Sequence, residues 1–123
     1  MKQDKPKIGR YGEDVAVNYL QERGYSIQAR NLRLLRHEMD IVAERDGVLI
    51  FVEVKTRTNE AFGKGFEQIT PQKQQRMARF SQLYLQKQEM ERECRFDAIS
   101  IEIHRESWKI VKIVHFPNAF ELG

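Results

Sequence analysis

Apolar residues recur along this chain at two spacings, and the switches between them delimit its elements. Between Tyr11 and Arg23, the residues Val15, Ala16, Tyr19 and Leu20 follow the helical period, and Gly24 supplies a stop. Tyr25 to Leu35 carries alternating stretches that predict a strand, interrupted by the polar pair Arg30-Asn31. From Glu38 to Glu44, Met39, Ile41 and Ala43 alternate with Asp40 and Val42. Asp46-Gly47 predicts a tight hairpin turn into Val48–Lys55, a strand rich in β-branched residues. A loop holding Asn59, Gly63 and Gly65 follows Thr56. Thr70-Pro71 then opens a second helix, expected to run to about Glu91 with Met77, Phe80 and Tyr84 in its buried stripe. Phe96–Ile103 and Trp108–Phe116 read as two further strands around a turn near Arg105–Ser107. The predicted order is α-β-β-β-α-β-β, an α/β domain over residues 11–123 preceded by a flexible, basic arm at residues 1–10.

Composition narrows this picture. At 123 residues and 14.6 kDa there is room for one domain, and 41% hydrophobic with 32% charged residues fits a folded, globular chain. The apolar run Val48–Val52 is too short to span a bilayer, so no membrane partner is expected. No charged-then-apolar leader follows Met1–Lys7, which predicts a cytoplasmic protein. The single cysteine, Cys94, cannot form an internal disulfide, and His37, His104 and His115 lack zinc-ligand spacing. A net charge of +3 tilts the chain toward a polyanionic partner.

Three carboxylates and a lysine carry candidate chemistry. Strand alternation puts Val48, Ile50, Val52 and Val54 on one face and Leu49, Phe51, Glu53 and Lys55 on the other. Glu53 and Lys55 thus project together, a pair that alone fits a solvated ion pair equally well. Counting back through the Asp46-Gly47 hairpin places Asp40 opposite Glu53, within a residue. Glu13 shares its helix face with Ala16, Val17 and Leu20, where a carboxylate is costly unless paired or bound to a cation. It also fits a first-turn acid that favours the helix dipole. Together these groups predict an acidic pocket with one cation. Asp40 and Glu53 suit a magnesium or manganese ion, which takes oxygen ligands and keeps several waters. Lys55 would orient or activate a water, or stabilise charge at phosphorus. There is no phosphate-binding glycine loop, dinucleotide fingerprint or serine-nucleophile motif. Lys73, Arg76 and Arg79 recur every three residues on the second helix, while Arg57, Lys64 and the arm residues Lys5, Lys7 and Arg10 lie near the acidic motifs. These cations are candidate phosphate contacts or a solvated face. For Lys87 and Arg92, with Glu89 and Glu91 nearby, a solvated face is expected.

The segments GRYGEDVAVNYLQERGY, HEMDIVAERDG, FVEVKTR, PQKQQR and RFDAISIEI, in this order between Ile8 and Phe120, resemble the YraN family of small bacterial nuclease-like proteins. The resemblance implies a fold similar to restriction endonucleases and Holliday-junction resolvases, a central mixed five-stranded sheet flanked by helices. It implies an active site of Glu13, Asp40, Glu53 and Lys55, DNA contacts from Arg57, Lys73 and Arg76, and support from Asn31 and Arg33. Phe96 and Asp97 would have structural roles. The family usually has Gly-Glu-Ile-Asp where this chain has His37-Glu38-Met39-Asp40. A glycine needed for backbone strain would leave the strand start rearranged here; a His37 facing the site could touch phosphate, but an exposed, neutral role is expected. The leading expectation is a metal-dependent DNA endonuclease acting on branched or damaged DNA, with a homodimer as the form that would cut two strands. The alternative is a non-catalytic DNA-binding or protein-interaction module on the same fold.

Overall fold

Short turns and one crossover helix order the sheet. The computed structural model describes residues 5–58 and 69–122. Helix α1 (Lys5–Glu22) precedes strands β1 (Ser26–Leu34), β2 (His37–Arg45) and β3 (Val48–Thr58). Helix α2 (Pro71–Gln88) leads to β4 (Cys94–Ile103) and β5 (Ile110–Phe116). This is the α-β-β-β-α-β-β order read from the sequence. The strands form one five-stranded sheet in the order β1-β2-β3-β4-β5. β1–β2, β2–β3 and β4–β5 pair antiparallel, whereas β3–β4 pair parallel. A parallel pair needs a long crossover, and α2 lies in it.

Local chemistry sets the ends of these elements. The amide of Gly24 donates to the Gln21 carbonyl (3.1 Å) and that of Tyr25 to the Leu20 carbonyl (3.0 Å). These are the two bonds of a Schellman stop, and its left-handed residue, Gly24 at φ 87°, tolerates that geometry for lack of a Cβ. Thr70 caps α2 by accepting from the Lys73 amide at 3.2 Å, with Pro71 opening the helix. Asp46 and Gly47, both at positive φ, join Arg45 to Val48 in the predicted hairpin.

Two boundaries differ from expectation. α1 begins at Lys5, so residues 5–10 are helical rather than a flexible arm, and residues 1–4 lie outside the described residues. Proline is tolerated in a first turn, and Ile8 and Tyr11 pack against the core, so the helix extends back over this segment. α2 stops at Gln88 instead of about Glu91, because Glu89 turns left-handed at φ 55° and closes the helix.

A core lies on each sheet face. Under α1, Val15, Ala16 and Leu20 meet Ile41, Ile50, Val52 and Ile99. On the α2 face, Met77 and Phe80 meet Met39, Val42, Leu49, Phe51 and Phe96. The alternation read along β3 is therefore realised: Ile50 and Val52 point to α1, Leu49 and Phe51 to α2. The expected alternation of β2 breaks near its start. Met39 belongs to the α2 core although Ile41, two residues on, belongs to the α1 core. Across from this break, on β1, Asn31 sits at φ 48° between the Arg30↔Ile41 and Leu32↔Met39 pairs. Asparagine adopts the left-handed region more readily than most residues, so this kink reverses the facing of both strands at that point. Asp40 lies at the reversal.

Candidate functional site

The β2–β3 ladder ends at Ile41↔Val52, one step short of the Asp40–Glu53 pair that the hairpin count predicts. Asp40 replaces the missing rung with its side chain: Oδ2 accepts from the Val54 amide at 2.7 Å. Its carboxylate is thereby held in the fork between the strands. Glu53, next along β3 after Val52, falls on the α2 face by alternation, where Lys73 Nζ lies 2.9 Å from its Oε1. The Thr70-Pro71 cap sets the start of α2, placing Lys73 in its first turn and Arg76 one turn on. Asp40, Glu53, Lys73 and Arg76 line one cleft of about 530 Å³ with Arg36, His37, Glu38 and Met77. Burial and the nearby Glu53 charge push the Asp40 carboxyl up from 3.8 to about 7, against the pull of the Val54 amide. Two acids thus share a cleft in which the second negative charge is costly.

Glu13 is placed differently. The expected single pocket of Glu13, Asp40, Glu53 and Lys55 is divided by the sheet, because α1 covers the face opposite α2 while alternation turns Glu53 toward α2. Glu13 lines a second hollow with Ile8, Gly9, Val54, Thr56, Arg57 and Thr58. Close packing of α1 on β3 sets its depth: a Cβ on Gly12 would lie 1.8 Å from Thr56 Oγ1. Among the described residues, Glu13 Oε1 is the buried side-chain polar atom without a hydrogen-bond partner. Arg30 Nη2 stands 4.0 Å from it and is bonded instead to Asp14 at 2.6 Å. Burial raises the Glu13 carboxyl above its ordinary range, while an Asn31 side-chain hydrogen bond and the Arg30 charge oppose the rise. The Glu13 charge also reaches Asp40 in the fork and contributes to raising it. The two hollows therefore communicate electrostatically through Asp40.

The remaining candidates scatter. Lys55 is half-buried on β3, two residues beyond Glu53 and opposite Ser100 of β4. Arg79 is exposed, its guanidinium 3.4 Å from Gln82 Oε1. Lys64 lies outside the described residues. Arg33, implied as site support, lines a different hollow with Leu35, Leu83 and Lys87. The Asn31 side chain, also implied as support, hydrogen-bonds Glu13.

Sequence comparison adds the lineage. The profile of the uncharacterised protein family UPF0102 matches residues 12–101. The chain belongs to this family. UPF0102 is the YraN family that the motifs resemble. A UPF0102 protein of Dictyoglomus turgidum is 36% identical over 115 residues, covering 93% of this chain and 97% of its own length. One of Symbiobacterium thermophilum is 43% identical over 97 residues (78% and 82%), and one of Syntrophotalea carbinolica 40% over 116 residues (94% and 92%).

Two features of this UPF0102 chain are decided by its tertiary contacts. The first is His37, which opens β2 opposite Leu34 just after Leu35, the turn residue at positive φ. Far from being an exposed bystander, it is half-buried and lines the cleft with Arg36. The second feature is the fully buried Asp97. It accepts from Arg95 through both oxygens at 2.8 Å and from the Asn118 amide at 3.1 Å, and bonds His115 Nε2 at 2.7 Å. Burial alone would raise this carboxyl, but His115, Arg95 and the Asn118 amide together hold it below its ordinary range. Asp97 thus fastens β5 and the segment after it to β4, the structural kind of role its strand position suggested. The sequence signals were an acid alternating with apolar residues in Phe96–Ile103 and the family-like segment RFDAISIEI.

Proposed function

We propose that this protein is a metal-dependent DNA endonuclease whose centre is the Asp40–Glu53 cleft, with branched or damaged DNA as its substrate class. The observation that carries the reading is the meeting of two carboxylates from adjacent strands with Lys73 and Arg76 in one cleft. The donors fit a hard cation: Asp40 and Glu53 offer only oxygens, and their mutual repulsion is relieved by a divalent charge. Magnesium or manganese held there would neutralise charge building on phosphorus and lower the pKa of a bound water.

The chain's own groups do the rest. Lys73 and Arg76 bind phosphate oxygens, so Lys73 exchanges its contact with Glu53 for the substrate. Hydrolysis places a water oxygen on phosphorus, breaks one phosphorus–oxygen ester bond and leaves a proton on the departing sugar oxygen. Lys55 orients that water or stabilises the pentavalent phosphorus, and Arg57 reaches a neighbouring phosphate. Glu13, through its charge on Asp40, acts as a positioning residue. The test is a cleavage screen over linear, single-stranded, flap and four-way-junction DNA with magnesium and manganese. Metal-dependent cutting should vanish in Asp40→Ala, Glu53→Ala and Lys55→Ala proteins purified identically. Cutting that survives all three would belong to a contaminant and sink the assignment.

One observation favours the non-catalytic reading. The Lys73 ammonium, 2.9 Å from Glu53 Oε1, already neutralises that carboxylate. A DNA-binding module on this fold would show salt-dependent binding, weakened by Lys73→Ala or Arg76→Ala, with no cleavage under any divalent metal.

A further inference from the structure

We infer that Arg36 and His37, at the β1–β2 turn, form a second cationic wall of the Asp40–Glu53 cleft, and that the cleft takes one unpaired DNA strand. The inference rests on the proposed nucleic-acid reading and specifies its substrate and a further pair of binding residues. Two elements far apart in sequence supply cationic or proton-donating side chains to the same cleft. Helix α2 contributes Lys73 and Arg76, and the β1–β2 turn contributes Arg36 and His37. The carboxylates Asp40 and Glu53 share the cleft with both groups. A phosphate brought to the carboxylates therefore has binding groups on two sides, so the phosphates before and after it along a strand can be held by different elements.

Size argues for one strand. Cavities of roughly 300–1,000 Å³ enclose a drug-sized ligand, and about 530 Å³ accommodates a nucleotide or two rather than the body of a duplex. The lining chemistry argues for backbone contacts. Arginine, lysine and histidine suit phosphate oxygens, and these are the basic groups among the described residues that line the cleft. His37 is the one ring among the described lining residues, and a histidine can place its imidazole against an unstacked base.

The experiment is fluorescence-anisotropy titration in EDTA, where metal-dependent cleavage is off. The probes are a labelled single strand of about 30 nucleotides and its blunt duplex, each measured across a salt series. Wild type should bind the single strand more tightly than the duplex. Arg36→Ala/His37→Ala should weaken single-strand binding about tenfold and lower the salt slope by about 0.7 per lost phosphate contact. Arg45→Ala removes a like charge at the other end of β2 and should change neither. The single Arg36→Ala variant, altering only an exposed turn residue, should show a partial loss of the same kind while keeping the wild-type circular dichroism. Unchanged affinity and slope in the double variant, a loss equalled by Arg45→Ala, or tighter binding of the duplex would each overturn the inference. Because this assay needs no cleavage, its result is separable from the nuclease screen: binding with the expected losses but no cutting would retain the cleft wall and remove the enzyme.

Discussion

Asp40→Asn removes one charge from the cleft and keeps its geometry, since an asparagine Oδ1 can still accept from the Val54 amide. The Asp40 carboxyl is raised from 3.8 to about 7, chiefly by burial and then by Glu53. A raised acid contributes stability that is complete below its unfolded pKa and lost as pH rises through its folded value. For Asp40 that window runs from about pH 4 to about pH 7. At ~1.4 kcal/mol per unit the full loss approaches ~4 kcal/mol, of which roughly 2–3 kcal/mol accumulates between pH 5 and pH 8. Water reaching the cleft reduces these figures toward the lower end. Urea unfolding of EDTA-treated protein should therefore find Asp40→Asn more stable than wild type, with a margin at pH 8 exceeding that at pH 5 by ~2 kcal/mol. Added magnesium should narrow the margin, because a ligand bound by the folded state alone stabilises wild type by RT ln(1 + [L]/Kd). A margin equal at the two pH values would refute the argument that the fold holds Asp40 at an electrostatic cost.

Asp97→Ala leaves Arg95 and His115 without their shared acceptor and should cost ~3–5 kcal/mol in chemical denaturation. Because the Asp97 carboxyl is depressed, its contribution in wild type is present above the ordinary aspartate range and lost as pH falls through the folded value, so the variant should show a weaker acid limb. Gly12→Ala brings a methyl against Thr56 Oγ1 and should destabilise by ~1–3 kcal/mol; an unchanged urea midpoint would contradict the close packing of α1 on β3. Glu89→Gly relieves a left-handed non-glycine residue and removes an acid from a helix C-terminus, so the thermal midpoint should rise by the equivalent of ~1 kcal/mol.

Much of the architecture was legible in short-range pattern. The alternation along Val48–Lys55, the Asp46-Gly47 turn and the Thr70-Pro71 cap act over a few residues, and each appears in the fold as read. They were sufficient to set the register up to Ile41↔Val52, the rung beside Asp40 and Glu53, and to turn Glu53 and Leu49 to the same side. The boundaries that moved were those with weaker local signals. Residues 5–10 are polar and were read as an arm, but Ile8 and Tyr11 find apolar partners that only the packed sheet supplies. The helix stop at Glu89 uses no glycine, so nothing in the sequence announces it.

Sequence by itself determined the order of elements, the facing of β3 and the acids available for a site, because periodicity and turn chemistry operate within an element or between adjacent ones. Tertiary structure decided which charges meet. It set Glu13 behind the sheet, paired Lys73 with Glu53, brought the β1–β2 turn beside α2 and buried Asp97 beneath Arg95 and His115. These relations join residues distant along the chain, and they follow from how two helices pack on opposite faces of a kinked sheet, which no local spacing encodes.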